Sequence, residues 1–157
     1  MIPNKKIEYY FDIALRLAKD AAFKDEVPVG AIVVSPSGEI LSEAFNLKEN
    51  TNDATAHAEI LAIQKAAKNL GSWRLIDCSL VVTLEPCPMC LSAIAQSRIK
   101  SLYFGAYDKK GGALSLGYNF ATDTRLNHEF NIYGGYKHVE CGSILSNFFR
   151  AKRKNYR

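Results

Sequence analysis

The chain has 157 residues, enough for one domain with a substantial core and too few for two comfortable ones. Its 48% hydrophobic and 23% charged residues are the balance of a globular protein and argue against disorder, and no apolar run reaches the roughly 18 residues that a membrane span needs. The net charge of +4 is local: Arg150, Lys152, Arg153, Lys154 and Arg157 crowd the C-terminus, while the remainder carries 15 basic against 16 acidic side chains. Such a patch suits a phosphate backbone, and equally a solvated helix end whose cations complement the helix dipole. The first residues do not read as a signal peptide, because Lys5, Lys6 and Glu8 lead into an amphipathic pattern. With four cysteines, too few for a small disulfide scaffold, a cytoplasmic setting is expected, where paired Cys more often mean metal or redox chemistry.

Ile7, Tyr10, Phe11, Ala14, Leu15, Ala18 and Ala22 recur at helical spacing and predict a first helix, ended by Asp25 and Glu26 before Pro28. The β-branched run Val29 to Val34 predicts a buried strand. Ser35-Pro36-Ser37-Gly38 is a turn, and Glu39 to Phe45 reads as the partner strand of a hairpin. After a polar loop, Ala56 to Leu70 predicts a helix with Thr55 as its N-cap and Gly71 as its stop. Leu80 to Leu84 predicts a third strand, Met89 to Arg98 a helix and Ile99 to Gly105 a fourth strand. Residues 106–128 read as irregular, Phe130 to Tyr133 as a fifth strand and Cys141 to Lys154 as the closing helix, basic over 143–154. The alternation predicts a single α/β domain, residues 1–157, with a mainly parallel sheet covered on both faces.

Three pieces of chemistry converge in this frame. His57-Ala58-Glu59 opens one predicted helix, and Pro86-Cys87-Pro88-Met89-Cys90 enters another. Cys87 and Cys90 are three apart, so one turn can aim both sulfurs at one point. A helix N-terminus favours the thiolates that zinc requires. His57, Cys87 and Cys90 supply three ligands and leave a tetrahedral position open, as a catalytic zinc needs. In that position zinc brings a water's pKa from 15.7 to about 7. Glu59 is the acid at hand to take and return the proton. Residues two apart point to nearly opposite sides of an ideal helix, so His57 and Glu59 converge only if the metal sits beyond the helix end. Cys78 and Cys141 lack ligand spacing and read as small buried apolar residues.

With H-x-E followed by P-C-x-x-C, and with Glu26 to Ala31, Asn46, Arg74 to Asp77, Val82 to Cys90, Ser97-Arg98-Ile99, Phe104-Gly105-Ala106, Leu126-Asn127-His128 and Phe148-Phe149-Arg150, the chain resembles the bacterial tRNA-specific adenosine deaminases of the cytidine-deaminase-like superfamily. The resemblance spans about Tyr9 to Lys154. It implies a three-layer α/β/α sandwich around a mixed, mostly parallel five-stranded sheet, one zinc ion per subunit and Glu59 as proton shuttle. It further implies a cytoplasmic homodimer that deaminates adenosine to inosine at the wobble position of a transfer RNA anticodon stem-loop. Asn46 and Ala58 match positions that meet the target nucleotide, and Asp108 and Lys110 lie where the family's loop approaches RNA. Phe149 and Arg150 match the C-terminal helix that helps close the substrate pocket. Two departures stand out: Ala54 replaces the Pro usual in the Asp-Pro-Thr turn, and Gly111 to Gly117 does not align cleanly. The residues themselves also admit a deaminase of free bases or nucleosides, and a non-enzymatic RNA-binding domain whose zinc is closed by a fourth ligand.

Overall fold

The structure is a computed structural model that describes residues 1–156; Arg157, counted in the basic tail, lies outside the described residues. The elements run α1 (Asn4–Phe23), β1 (Gly30–Val34), β2 (Ile40–Phe45), α2 (Ala58–Leu70), β3 (Ser79–Leu84), α3 (Pro88–Gln96), β4 (Ser101–Ala106), β5 (Asn131–Gly134) and α4 (His138–Asn155). Among the described residues no helix is long and apolar enough to cross a membrane.

The strands form one sheet in the order β2-β1-β3-β4-β5. Alternating side chains serve its two faces. Ala31, Val33, Leu80, Val82, Leu102 and Phe104 pack with α2 and α3 on one face. Ile32, Val34, Val81 and Tyr103 pack with α1 and with Cys141 of α4 on the other. This is the expected three-layer sandwich, and it explains why every residue of β1 and β4 is buried.

The sheet is evenly mixed, less parallel than the alternation of elements suggested. β1 is antiparallel to both β2 and β3, and only β3–β4 and β4–β5 are parallel. The reason lies in the connections. The first two strands form a hairpin through Ser35–Gly38, where Gly38 takes φ +89°. Helix α2 then carries the chain from β2 across β1 to β3; β2 and β3 run the same way, but β1 lies between them and is antiparallel to both, so this crossover adds no parallel pair. Helix α3 joins the adjacent parallel strands β3 and β4, whereas β4 reaches β5 through the irregular segment 107–130.

Close approach of α1 to the sheet requires Gly30. A Cβ there would fall 2.0 Å from the Ala14 carbonyl oxygen and 2.8 Å from the Ala18 nitrogen. Helix α4 begins at His138, three residues before the expected start, with Lys137 at its cap position. Cys78 and Cys141 are free and buried, as expected. Burial pushes the Cys78 thiol up, and lifts that of Cys141 to about 12.

Candidate active site

Two helix N-termini meet at one end of the sheet, and each is capped by a residue that faces the other. Helix α2 starts at Ala58, two residues later than expected, so the cap position belongs to His57 (φ −76°, ψ 151°) and not to Thr55. Thr55 is engaged elsewhere: its N–H and its hydroxyl both donate to Asp53 Oδ1, at 2.8 and 2.7 Å. That Asx turn shapes the bend in which Ala54 stands. Helix α3 repeats the arrangement, with Cys87 at the cap (φ −70°, ψ 169°), Pro88 in the first turn and Cys90 inside it. Because His57 is extended and Glu59 is helical, the two side chains escape the opposition that an ideal helix would impose.

The donor atoms of His57, Cys87 and Cys90 lie within 4.8 Å of one another. His57 Nδ1 is 3.7 Å from Cys87 Sγ and 3.5 Å from Cys90 Sγ. A tetrahedron with metal–ligand bonds of about 2.0–2.3 Å has edges of roughly 3.5 Å. The three donors therefore fit zinc in both spacing and chemistry, and they form a potential zinc site. Among the described residues this cluster holds only these three ligands. His128 Nε2–H donates to the Ile99 carbonyl at 2.7 Å, and Cys141 lies in the opposite layer. A closing fourth protein ligand, as a purely structural zinc site would have, is absent from the cluster.

Among the protein groups alone, the Cys90 thiol and then His57 hold Cys87 down to about 4, which is thiolate at neutral pH. Cys90 is pushed up, first by its hydrogen bond with Cys87 and then by burial, so the pair retains one proton. His57 is raised, chiefly by its hydrogen bond to Cys87. Glu59 is 4% exposed, and burial lifts its carboxyl to about 7. A carboxyl so placed can both accept and give a proton near neutrality.

His57, Glu59 and Cys87 line a cleft of about 980 Å³, and Cys90 is buried behind them. Asn46, Asp108, Phe148 and Phe149 line it with them. Lys110 and Arg150 are exposed beside the cleft and do not line it; Arg150 donates to Asn147. Ala58 is buried beneath the wall, and its N–H donates to Asn46 Oδ1 at 2.7 Å. Asn46 Nδ2 donates to the Val27 carbonyl at 3.1 Å, leaving one N–H and one lone pair of this amide for another partner. Sequence reasoning gave no role to Glu26 and Glu85, although both stand in quoted motifs. They are 1% and 2% exposed and line the cleft. Their signal was an acid in each of two otherwise apolar, proline-containing runs.

Comparison with known proteins agrees with this geometry. Residues 4–106 match the family described as the cytidine and deoxycytidylate deaminase zinc-binding region. The tRNA-specific adenosine deaminase of Bacillus subtilis is 46% identical over 147 residues, 94% of this chain and 91% of that protein. That of Aquifex aeolicus is 46% identical over 148 residues, 94% of this chain and 97% of that protein. A solved structure from studies of A-to-I editing by deaminases at the wobble position of transfer RNA superposes with a TM-score of 0.83 and 41% identity. It covers 88% of this chain and 99% of its own. The chain thus belongs to the tRNA-specific adenosine deaminases, a family built on the zinc-binding deaminase domain.

Proposed function

We propose that this chain hydrolyses adenosine to inosine at the anticodon wobble position of transfer RNA, with zinc held by His57, Cys87 and Cys90. The observation that carries the reading is one juxtaposition. A buried carboxyl, Glu59, lines one cleft with His57 and Cys87, and these two share with Cys90 a spacing that suits zinc. Zinc, when bound, supplies a Lewis acid that makes water a nucleophile near neutral pH.

The chain's residues do the rest. Glu59 takes one proton from water and gives it to N1 of the purine, then takes the second from the new C6 hydroxyl and gives it to the departing amine. The C6–N bond breaks, a C6–O bond forms and ammonia leaves. Asn46 offers its remaining N–H to the nucleotide, while Asp108 and Phe149 bound the space around it. A loop nucleotide leaves its stack at less cost than a paired one, which suits an anticodon. The names of the relatives support the substrate, and the location of transfer RNA supports a cytoplasmic enzyme. A homodimer belongs to the same proposal, and light scattering should return twice the chain mass of 17.4 kDa.

The test is incubation with total transfer RNA and mapping of inosine. Wild type should form it at a wobble position, and free adenosine should be a far poorer substrate. Glu59→Ala should lower kcat by at least about 10³-fold while zinc stays at one per chain. Inosine formed at the normal rate by that variant would overturn the mechanism.

A further inference from the structure

Two loops face each other across the cleft. One, carrying Asn46, Lys48, Glu49 and Asn50, follows β2; the other, carrying Asp108 and Gly111, follows β4. Both are polar and neither is part of a helix or strand. Each nevertheless ends on a buried carboxylate that the deamination chemistry leaves unused. Glu26 Oε1 accepts from the Asn50 N–H and from Asn50 Nδ2, both at 2.7 Å. Glu85 Oε2 accepts from the Asp108 N–H at 3.2 Å and from the Ser115 hydroxyl at 2.8 Å.

We infer that Glu26 and Glu85 are positioning residues that fix the two walls of the cleft in the shape that admits the nucleotide. The Glu85 side is the more constrained. A Cβ on Gly112 would lie 1.4 Å from Glu85 Oε2 and 2.6 Å from the Asp108 carbonyl oxygen, so the loop passes directly against the acid. The Ala113 N–H donates to the Pro86 carbonyl at 2.8 Å, tying the same loop to the residue before Cys87. Asp108 Oδ1 accepts from the Lys110 and Gly111 N–H groups, which folds the loop tip back on itself. This accounts for Gly112 and Ser115 within the stretch that aligned poorly. Hydrogen bonds to a charged acceptor are about twice as strong as neutral ones, so two acids can order two polar loops before substrate arrives. Loop entropy is then lost during folding and not during binding.

The kinetic part of the inference rests on the deaminase reading; the structural part does not. Zinc-loaded Glu26→Ala and Glu85→Ala are compared with wild type by hydrogen exchange and by turnover of an anticodon stem-loop. Glu26→Ala should deprotect amides near Asn50 only, and Glu85→Ala those of residues 108–113 only. In each, KM should rise roughly tenfold while kcat stays within about threefold, the signature of lost ground-state binding. Glu85→Gln keeps an acceptor oxygen and should recover most of the KM. Unchanged exchange in both loops would overturn the inference. A kcat loss of about 10³ at unchanged KM would also overturn it, by making the acid a participant in chemistry. If the alanine variants fail to fold, Asn50→Ala and Ser115→Ala remove donors from the exposed side and should give the same loop-specific deprotection; its absence counts against the inference. If wild type makes no inosine, the deaminase reading fails, and the exchange pattern still decides the anchoring.

Discussion

Helix α2 begins without a capping side chain of its own, because His57 occupies the cap position and turns toward the cleft. The first orphan N–H of the helix is met from outside, by Asn46 at 2.7 Å. This gives Asn46 a structural duty besides the nucleotide contact proposed for it. Asn46→Ala should therefore cost about 1–2 kcal/mol of folding stability even without RNA, chiefly from the uncapped Ala58 N–H, since the Val27 carbonyl keeps its bond from the Val29 N–H. Thermal unfolding of zinc-loaded protein measures this, and an unchanged Tm would show that water replaces the amide at no cost. The chemistry of the site was legible in the sequence because it depends on residue type at short spacing. Cys87 and Cys90 lie one turn apart, and H-x-E supplies an imidazole and an acid. The duties of Glu26 and Glu85 were not legible, since their partners Asn50, Asp108 and Ser115 are 23 to 30 positions away.

At the scale of elements, every helix and strand anticipated from periodicity exists, because both sheet faces are covered and the apolar pattern is strong. What differed were boundaries and strand direction. Ends are set by caps, and a cap made by His57 or Cys87 breaks the rule that Ser, Thr, Asp or Asn starts a helix. Whether the third strand pairs parallel or antiparallel is set by which neighbour it takes after α2, β2 or β1, and no local signal records that. Packing distance was equally hidden: nothing in Val29-Gly30-Ala31 announces that α1 lies against Gly30. The structure turns this into an expectation. In Gly30→Ala the new methyl meets helix backbone, which cannot swing aside as a flexible side chain could. A penalty of about 3 kcal/mol is expected, or a fall in Tm of roughly 5–10 °C. Zinc content should be unchanged, because β1 carries none of the three ligands. A Tm within about 2 °C of wild type would mean that α1 can slide on the sheet.

At the scale of the whole molecule, positive charge gathers on the helix that also lines the cleft. The last turn of α4 carries Lys152, Arg153 and Lys154, and the same helix lends Phe148 and Phe149 to the cleft. Lys152 also reaches over to Asp25, at 2.7 Å, where Asp25 stands at φ +62° between α1 and β1. Asp25 is mostly solvent-exposed and Lys152 partly so, so water screens the pair and a phosphate can compete for the cation. Each phosphate neutralised by such a side chain releases counterions. The dissociation constant of a stem-loop should then rise with salt, at a log–log slope of roughly 0.7 per phosphate contact to a single strand. Removing residues 150–157 takes away the basic cluster and leaves the cleft wall at Phe149 in place. The truncated protein should bind RNA more weakly at low salt, show a flatter slope and converge with wild type at high salt. Turnover of a small nucleoside should change much less, because no long phosphate backbone is engaged. Filter binding of an anticodon stem-loop between 50 and 300 mM salt, roughly the range over which such contacts are screened, measures both slopes. Parallel lines for the two proteins would assign the tail to the solvated end of a helix and leave RNA affinity to the cleft alone.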